Sequence, residues 1–493
     1  MEARPSVKFL IDINVFIPLE PTAAKESEGL RSTAIRFAQR ANEAGYPLYV
    51  HPAQMQDILG DRDESRRELR KALLNKYPTL PDPPSSARVD STLGAPERWS
   101  HDWVDHQLLA GLQADAIDSL VTEDVRIHRK AKRLGLHHRV AFLTEALTEL
   151  EALSDKPQDS LPAVETTKAH NLDSDDEIFI TVRQDYPEFD VWLTKCKREH
   201  RQAWIVRGPD NKYAGVSIVN REDRGDLGLP DKTLKICMFK ISDRHAGRRY
   251  GELLLRDIFN YAEQNAFRSL FVEVFPKQER LIAFLNEFGF FDLAKATSRG
   301  ELRLAKALQF TADDVAKLHP LEFNRRFGPS AIKWSDISAF VVPIKPKYHD
   351  VLFPEATAQV EFFEGHRPCG NALRKAYLCN SVSRELQPGS ILAFYRSEDI
   401  QAITVVGVVE ETLVSNRATE VARFVGKKTV YPFSEIERLC EKDVLAILFR
   451  QARVLRQPFA LDKLLRNRIV SAAPQSITKL NLGARKWIHS QLQ

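Results

Sequence analysis

The run Phe9 to Ile17, FLIDINVFI, constrains this chain more than any other segment, because it sets a carboxylate and an amide, Asp12 and Asn14, inside an apolar stretch. A strand buried on both faces reads as uninterrupted Val, Ile and Leu. Asp12 therefore belongs at the carboxyl end of such a strand, where open α/β sheets place their chemistry. Taken alone, a satisfied Asp starting the next turn explains it equally well. The pattern recurs, however. The stretch VDHQLLAGLQADAIDSLVTEDVRIHRKAKRLGL reads as a helix from Asp105, a short strand ending at Asp124, and a second helix, while Asp57 follows the apolar strand PLYV in a helical segment. If the strands are parallel neighbours, Asp12, Asp57, Asp105 and Asp124 converge at one sheet edge. Four carboxylates sharing a site call for hard cations, which predicts Mg²⁺ or Mn²⁺.

Residues 7 to 150 resemble the PIN domain family of metal-dependent ribonucleases. The family's opening Asp-x-Asn falls on Asp12 and Asn14 and its closing Thr-x-Asp on Thr122 and Asp124; its middle acids fall on Asp57, where Glu is more usual, and on Asp105. The resemblance implies phosphodiester hydrolysis with these four acids as catalytic and metal-holding residues. One metal would activate water and a second would stabilise the leaving oxygen.

A chain of 493 residues suits about three domains. Its composition, 43% hydrophobic and 28% charged, fits globular domains and excludes wholesale disorder. Cys196, Cys237, Cys369, Cys379 and Cys440 lack paired spacing, so they build neither a zinc site nor a disulfide framework and fit a reducing cytoplasm. No apolar run reaches a membrane span and MEARPSVKF lacks a signal-peptide core, so the expectation is a soluble cytoplasmic protein without a membrane partner. A formal charge of +4 is too small to argue nucleic-acid binding, but Cys440 to Gln493 holds ten Lys and Arg against three acids. That tail, with Arg466, Arg468, Arg485 and Lys486, reads as a phosphate-facing surface or as a solvated helix face.

Composition shifts divide the chain into 1–153, a linker SDKPQDSLPA, a middle domain 164–307, a helical connector 308–337 and a C-terminal domain 338–493. In the middle domain, hairpin strands AWIVRGP and YAGVSIVNR precede a long strand TLKICMFKIS, a Gly-containing turn feeding an amphipathic helix, a strand SLFVEVF and a helix QERLIAFLNEFGF. This order resembles the GNAT family of acyl-CoA-dependent acetyltransferases. Backbone N–H groups at a helix N-terminus bind the cofactor pyrophosphate, which needs small residues for close approach. The family's Gln/Arg-x-x-Gly-x-Gly/Ala pattern falls on Ala246, Arg249 and Gly251, and only the last position matches. Gly247 keeps some flexibility, Arg248 and Arg249 offer charge-assisted contacts to phosphate, and Tyr250 lies between Arg249 and Gly251. The resemblance further implies a strand bulge near Phe239, Lys240 and Ile241, an Asn position occupied by Gln278, and a proton-donating Tyr position occupied by Leu285. Glu273 is either a base for the incoming amine or a strand Glu facing solvent. Acetyl-CoA binding is expected more firmly than efficient transfer.

From Ser338 the strands SAFVVPI, KAYLCN, SILAFYRS, ITVVGVVEET and VLAILF stand at short spacing, which argues a small barrel. Residues 338 to 493 resemble the PUA-like and ASCH-like barrels that bind RNA. Lys345, Lys347, Tyr348, His349 and Arg396 then line either an RNA groove or an ordinary polar rim.

The fold expectation is thus a multidomain α/β chain: a PIN-like parallel sheet, a GNAT mixed α/β domain and a PUA/ASCH-like barrel. The favoured functional expectation is a toxin-like or defence effector acting on RNA, tRNA included, with an antitoxin as candidate partner. Two alternatives stand beside it. One is an N-acetyltransferase of a protein or aminoacyl-tRNA amine carrying an inert PIN module; the other is a non-enzymatic regulator in which acetyl-CoA gates RNA capture.

Overall fold

The computed structural model describes residues 7–22, 30–153, 163–208, 210–356 and 373–492. Cys369 and nearly all of the SDKPQDSLPA linker lie outside the described residues. The chain divides into two compact units, Met1–Lys156 with Ala422–Phe424, and Pro157–Val421 with Val425–Gln493. Among the described residues no helix is long and apolar enough to cross a membrane.

In the first unit, β1 (Phe9–Ile11), β2 (Leu48–Tyr49), β3 (Ser119–Val121) and β4 (Val140–Ala141) form a parallel sheet in the order β2-β1-β3-β4. Strand alternation sends Phe9 and Ile11 into one core and Leu10 into another. Both faces are therefore covered, as an apolar parallel strand requires. The Phe9 ring meets Phe37 of the helix Arg31–Glu43 edge-on at 5.4 Å. Two strands end in an acid that starts a helix. Asp12 caps Ile13–Leu19 and Asp124 caps Val125–Arg133, each side chain accepting from a first-turn amide.

The second unit opens with β5 (Val164–Lys168), β6 (Gln202–Arg207), β7 (Tyr213–Arg221), β8 (Thr233–Ile241), β9 (Ser269–Val274), β10 (Phe291–Asp292) and β11 (Leu302–Ala307). Their order is β10-β11-β9-β8-β7-β6-β5, antiparallel except for the β8–β9 pair. A parallel pair needs a crossover, and the helix Tyr250–Gln264 supplies it, burying Leu253, Leu254, Leu255 and Ile258 against the sheet. The helix Phe189–Arg198 covers the opposite face through Phe189 and Leu193.

The rest of the unit contains β12 (Ala339–Ile344), β13 (Arg374–Cys379), β14 (Ile391–Arg396), β15 (Ala402–Ser415), β16 (Val444–Ala460) and β17 (Thr478–Lys479), ordered β13-β16-β15-β14-β12-β17. This corrects the expected closed barrel: among the described residues the sheet is open, with β13 and β17 at its edges. The long strands β15 and β16 bend through three register irregularities instead, wrapping around Phe353, Phe394 and Phe449. The connector is helical at Ala312–Lys317 and Pro320–Phe327.

One glycine fixes how the connector docks. Gly289, at φ +84°, packs so tightly that an added Cβ would stand 2.1 Å from the Arg325 carbonyl oxygen. Gly289→Ala is expected to lower the unfolding free energy by about 2–4 kcal/mol, through a left-handed backbone and a steric overlap together. Denaturant titration monitored in the second unit checks this, and an unchanged midpoint would show that the connector shifts freely.

Candidate active site

The chemistry-bearing feature of the second unit is a gap inside its sheet. Strands β8 and β9 pair only from Thr233–Ser269 to Ile236–Val272. Beyond that point β8 follows β7 to Ile241 while β9 follows β11 to Val274. A bulge accompanies the parting: Ile218 faces Met238 whereas Val219 faces Ile236, so Cys237 is an extra residue on β8. The expected bulge near Phe239 to Ile241 is thereby corrected to Cys237. Its effect appears in the side chains. Leu234 and Ile236 face the crossover helix, Met238 faces the other way, and Phe239 and Ile241 face the helix again.

The turn between β8 and the crossover helix runs Ser242 to Arg249. Gly247 takes φ +75° and Arg249 φ +61°, the latter a left-handed conformation that costs a side-chain-bearing residue roughly 1–2 kcal/mol. The helix that follows has no side-chain cap. The amides of Tyr250 and Gly251 find no acceptor among the described residues, the condition in which a helix start receives an anion. A Cβ at Gly251 would meet Phe284 at 3.4 Å and Phe239 at 3.6 Å, and those two rings stack at 6.1 Å. The gap thus has apolar walls and a polar mouth, a donor set that would suit an acyl-CoA: the Tyr250 and Gly251 amides would hold its pyrophosphate and Phe239 would line its arm. Lys240 sits 3.6 Å from Asp243, Ala246 holds an extended backbone, and Arg248 forms no ion pair among the described residues. Arg249 departs from expectation: its guanidinium turns away from the turn onto Glu252, Nη2 to Oε2 2.9 Å.

Proton-transfer groups are placed differently from the sequence reading. Glu273 lies beyond the last β8–β9 pair, but Lys235 and Arg303 hold it at 2.7 and 3.0 Å. Burial pushes its carboxyl up, and the two cations outweigh burial and hold it below the ordinary value. It is therefore corrected from a base to a paired anion. Gln278 caps the helix Glu279–Glu287 by backbone position only, without a side-chain hydrogen bond to it. Leu285 is 1% exposed inside the core with Phe288, so the residue facing the gap from this helix is Phe284, one position earlier. The spacing Leu281, Leu285, Phe288 carried that signal, since i, i+4, i+7 is a buried stripe. Leu285→Tyr is expected to destabilise by about 1–3 kcal/mol through overpacking without raising turnover. Phe284→Tyr sets a hydroxyl at the gap and should be tolerated; comparing melting and CoA release for both variants checks the assignment.

In the first unit the four acids do approach one edge. The Asp12 carboxylate, 4% exposed, accepts from the Ile13 amide, Asn14 Nδ2 and Thr122 Oγ1, each at 2.6 Å. Burial pushes it up to about 6, with Asp105 and Asp57 adding repulsion. The other acids carry protein partners: His101 on Asp57 at 2.8 Å, Lys130 on Asp105 at 2.8 Å, Arg126 on Asp124 at 2.6 Å. Burial raises Asp57 and Asp105, whereas on Asp124 the Arg126 hydrogen bonds outweigh burial and hold it low. No three of these four carboxylates bring ligand oxygens within 4.8 Å of one another. The expected site of a shared Mg²⁺ or Mn²⁺ is not evidenced: Lys130 and Arg126 pair with Asp105 and Asp124, and His101 hydrogen-bonds Asp57. Because Asp12 binds its proton more tightly folded than unfolded, its contribution to stability is fullest below pH 4 and is lost as pH rises to about 6. Asp12→Asn lacks this titration. The stability difference, wild type minus variant, should fall by roughly 3 kcal/mol between pH 4 and 7, read by hydrogen exchange at β1 and β3; a flat difference would show an ordinary carboxyl.

The C-terminal candidates are mostly engaged internally. Arg396, 6% exposed, bonds Asp399 at 2.8 Å and also Asp350. His349 is fully buried, paired with Thr404 Oγ1 at 2.7 Å and pushed down to about 4 by burial and then by Arg396, so it is neutral. Tyr348 donates to Glu435 and lies against Tyr431; Lys347 reaches the same Glu435 at 3.3 Å, and exposed Lys345 sits 3.6 Å from Glu398. Arg396 and His349 thus lie inside rather than on an open groove, and Arg396 keeps carboxylate partners as a cation leaving water requires. Arg485 bonds the Ile337 carbonyl, while Arg466, beside Asp462, and Arg468 and Lys486 remain exposed.

Residues 167–290 match the family model of the Acetyltransferase (GNAT) family. No curated protein matches the chain. Among solved structures, ASCH from Zymomonas mobilis is similar at 15% identity, covering 31% of this chain and 94% of that one with a TM-score of 0.25. The putative acyl-CoA N-acyltransferase from Klebsiella pneumoniae is similar at 16% identity over 31% of this chain and 100% of that one, TM-score 0.24. The IAA acetyltransferase from Bacillus cereus is similar at 15% identity over 30% and 99%, TM-score 0.24. The family match falls on the parted strands, the turn and the crossover helix described above, so the second unit contains a GNAT acetyltransferase domain at residues 167–290.

Proposed function

We propose that this chain is an acyl-CoA-dependent N-acetyltransferase whose acceptor is a primary amine carried by a protein or an aminoacyl-tRNA. The observation that carries the reading is the parting of β8 and β9 directly above a helix start with two unpartnered amides. Tyr250 and Gly251 would hold the pyrophosphate, with Arg248 beside them. Phe239 and Phe284 would exclude water from the arm. Acetyl-CoA supplies an activated thioester.

The protein's share of the chemistry is positioning. With Glu273 paired, the amine would react as its free base; the N–H proton it loses on acylation would pass to the departing thiolate, to which Phe284 offers no hydroxyl, and holding the amine against the thioester would account for the acceleration. The exposed Arg466, Arg468 and Lys486 favour an acceptor borne on RNA. The first unit contributes no step in this reading.

Calorimetry and melting with acetyl-CoA test it. Wild-type protein should bind, gaining about 2.7 kcal/mol at a hundredfold excess over Kd. Gly251→Phe should abolish the gain, because Phe284 and Phe239 already fill the space beyond its Cα. Absence of heat and of a melting shift in the wild type would leave the domain as a scaffold.

A further inference from the structure

Arg249 stands directly before the two amides that would receive the pyrophosphate, yet its side chain is spent elsewhere. Its Nε and Nη2 reach Glu252 Oε2 at 3.1 and 2.9 Å, and Nη2 also donates to the Arg374 carbonyl on β13. The Arg374 amide donates to the same Glu252, Oε1, at 2.6 Å. The Arg374 guanidinium then spans Glu287, at the end of the helix Glu279–Glu287, at 2.6 Å and Glu410 of β15 at 2.8 Å. Arg450 of β16 completes the set, bonding Glu410 Oε1 at 2.7 Å and the Glu287 carbonyl at 3.2 Å. The C-terminal sheet therefore holds both helices that flank the gap through one charge network, buried except at the half-exposed Glu287.

The charge balance of that network matters. Among the described residues Arg249, Arg374 and Arg450 pair with Glu252, Glu287 and Glu410, three cations with three anions, and Lys428 lies nearby. An incoming anion that takes up Arg249 therefore has to compete with Glu252 for it. Should Arg249 leave Glu252, the carboxylate keeps the Arg374 amide and the field of Lys428, so it is not stranded.

We propose that Arg249 is a pyrophosphate ligand held in reserve: Glu252 and the Arg374 carbonyl retain it, the cofactor pyrophosphate competes for it, and the C-terminal sheet thereby sets acyl-CoA affinity. The inference rests on the acyl-CoA reading above. Arg249, Glu252 and Arg374 act in it as positioning residues for cofactor binding.

The test is calorimetric titration of the full-length chain with CoA and, separately, with pantetheine, which lacks the pyrophosphate. Glu252→Gln keeps the acceptor for the Arg374 amide but weakens the competitor, so CoA should bind about tenfold tighter, the worth of one charge-assisted contact. Pantetheine should bind both proteins alike. Arg249→Gln should weaken CoA binding by a similar factor, and the double variant should match Arg249→Gln alone. If Glu252→Gln fails to fold by circular dichroism, the Arg249→Gln result decides. Unchanged or weaker CoA binding by folded Glu252→Gln, an equal gain for pantetheine, or unaltered affinity in Arg249→Gln overturns the proposal. Wild-type protein that binds no CoA overturns the acyl-CoA reading itself, and the proposal with it.

Discussion

The single extra residue Cys237 in β8 is the constraint on which the second unit's chemistry depends. Two neighbouring strands share a ladder only while their pleats stay in phase, and a bulge breaks that phase by one residue. After it, β8 turns Phe239 rather than Met238 toward the crossover helix, and pairing with β9 ends at Ile236–Val272. The gap that opens has backbone on two sides and a helix start at one end. A thioester arm needs such a slot, and a closed sheet would not provide one.

How far this was legible in the residues depends on the kind of information each feature carries. The order of strands and helices around TLKICMFKIS and DRHAGRRYGELLL follows from apolar period and turn chemistry, both local properties. The bulge position does not, because it is set by the partner strand, and sequence alone placed it two residues late. Helix phase was readable at Leu285, where Leu281 and Phe288 mark the buried stripe, but an analogy with a tyrosine position obscured it. Arg249 and Glu252 form an i,i+3 pair, but Arg374, which bonds both, lies more than a hundred positions away, and no local pattern announces it.

The acidic edge of the first unit shows the same division. Asp12 and Asp124 at strand ends, each starting a helix, followed from the interruption of an apolar run. What neutralises the acids could not be read that way. Converging carboxylates suggest metal ions, whereas Arg126 and Lys130, one turn apart on the helix that Asp124 caps, reach back to Asp124 and Asp105. Among the described residues Asp12 has no such cation, and burial holds its proton on up to about pH 6. In the C-terminal sheet, likewise, Arg396 is a buried partner of Asp399 and Asp350, whereas Lys345 and Lys347 stay exposed, a difference that the residues alone do not announce.

Central to the account is the claim that the start of the helix Tyr250–Gln264 receives the cofactor's pyrophosphate. Amide hydrogen exchange of the full-length chain, with and without acetyl-CoA, addresses it most directly. The account predicts slowed exchange at Tyr250 and Gly251, whose amides have no other acceptor among the described residues. Exchange at those two amides that stays unchanged under saturating acetyl-CoA would contradict it.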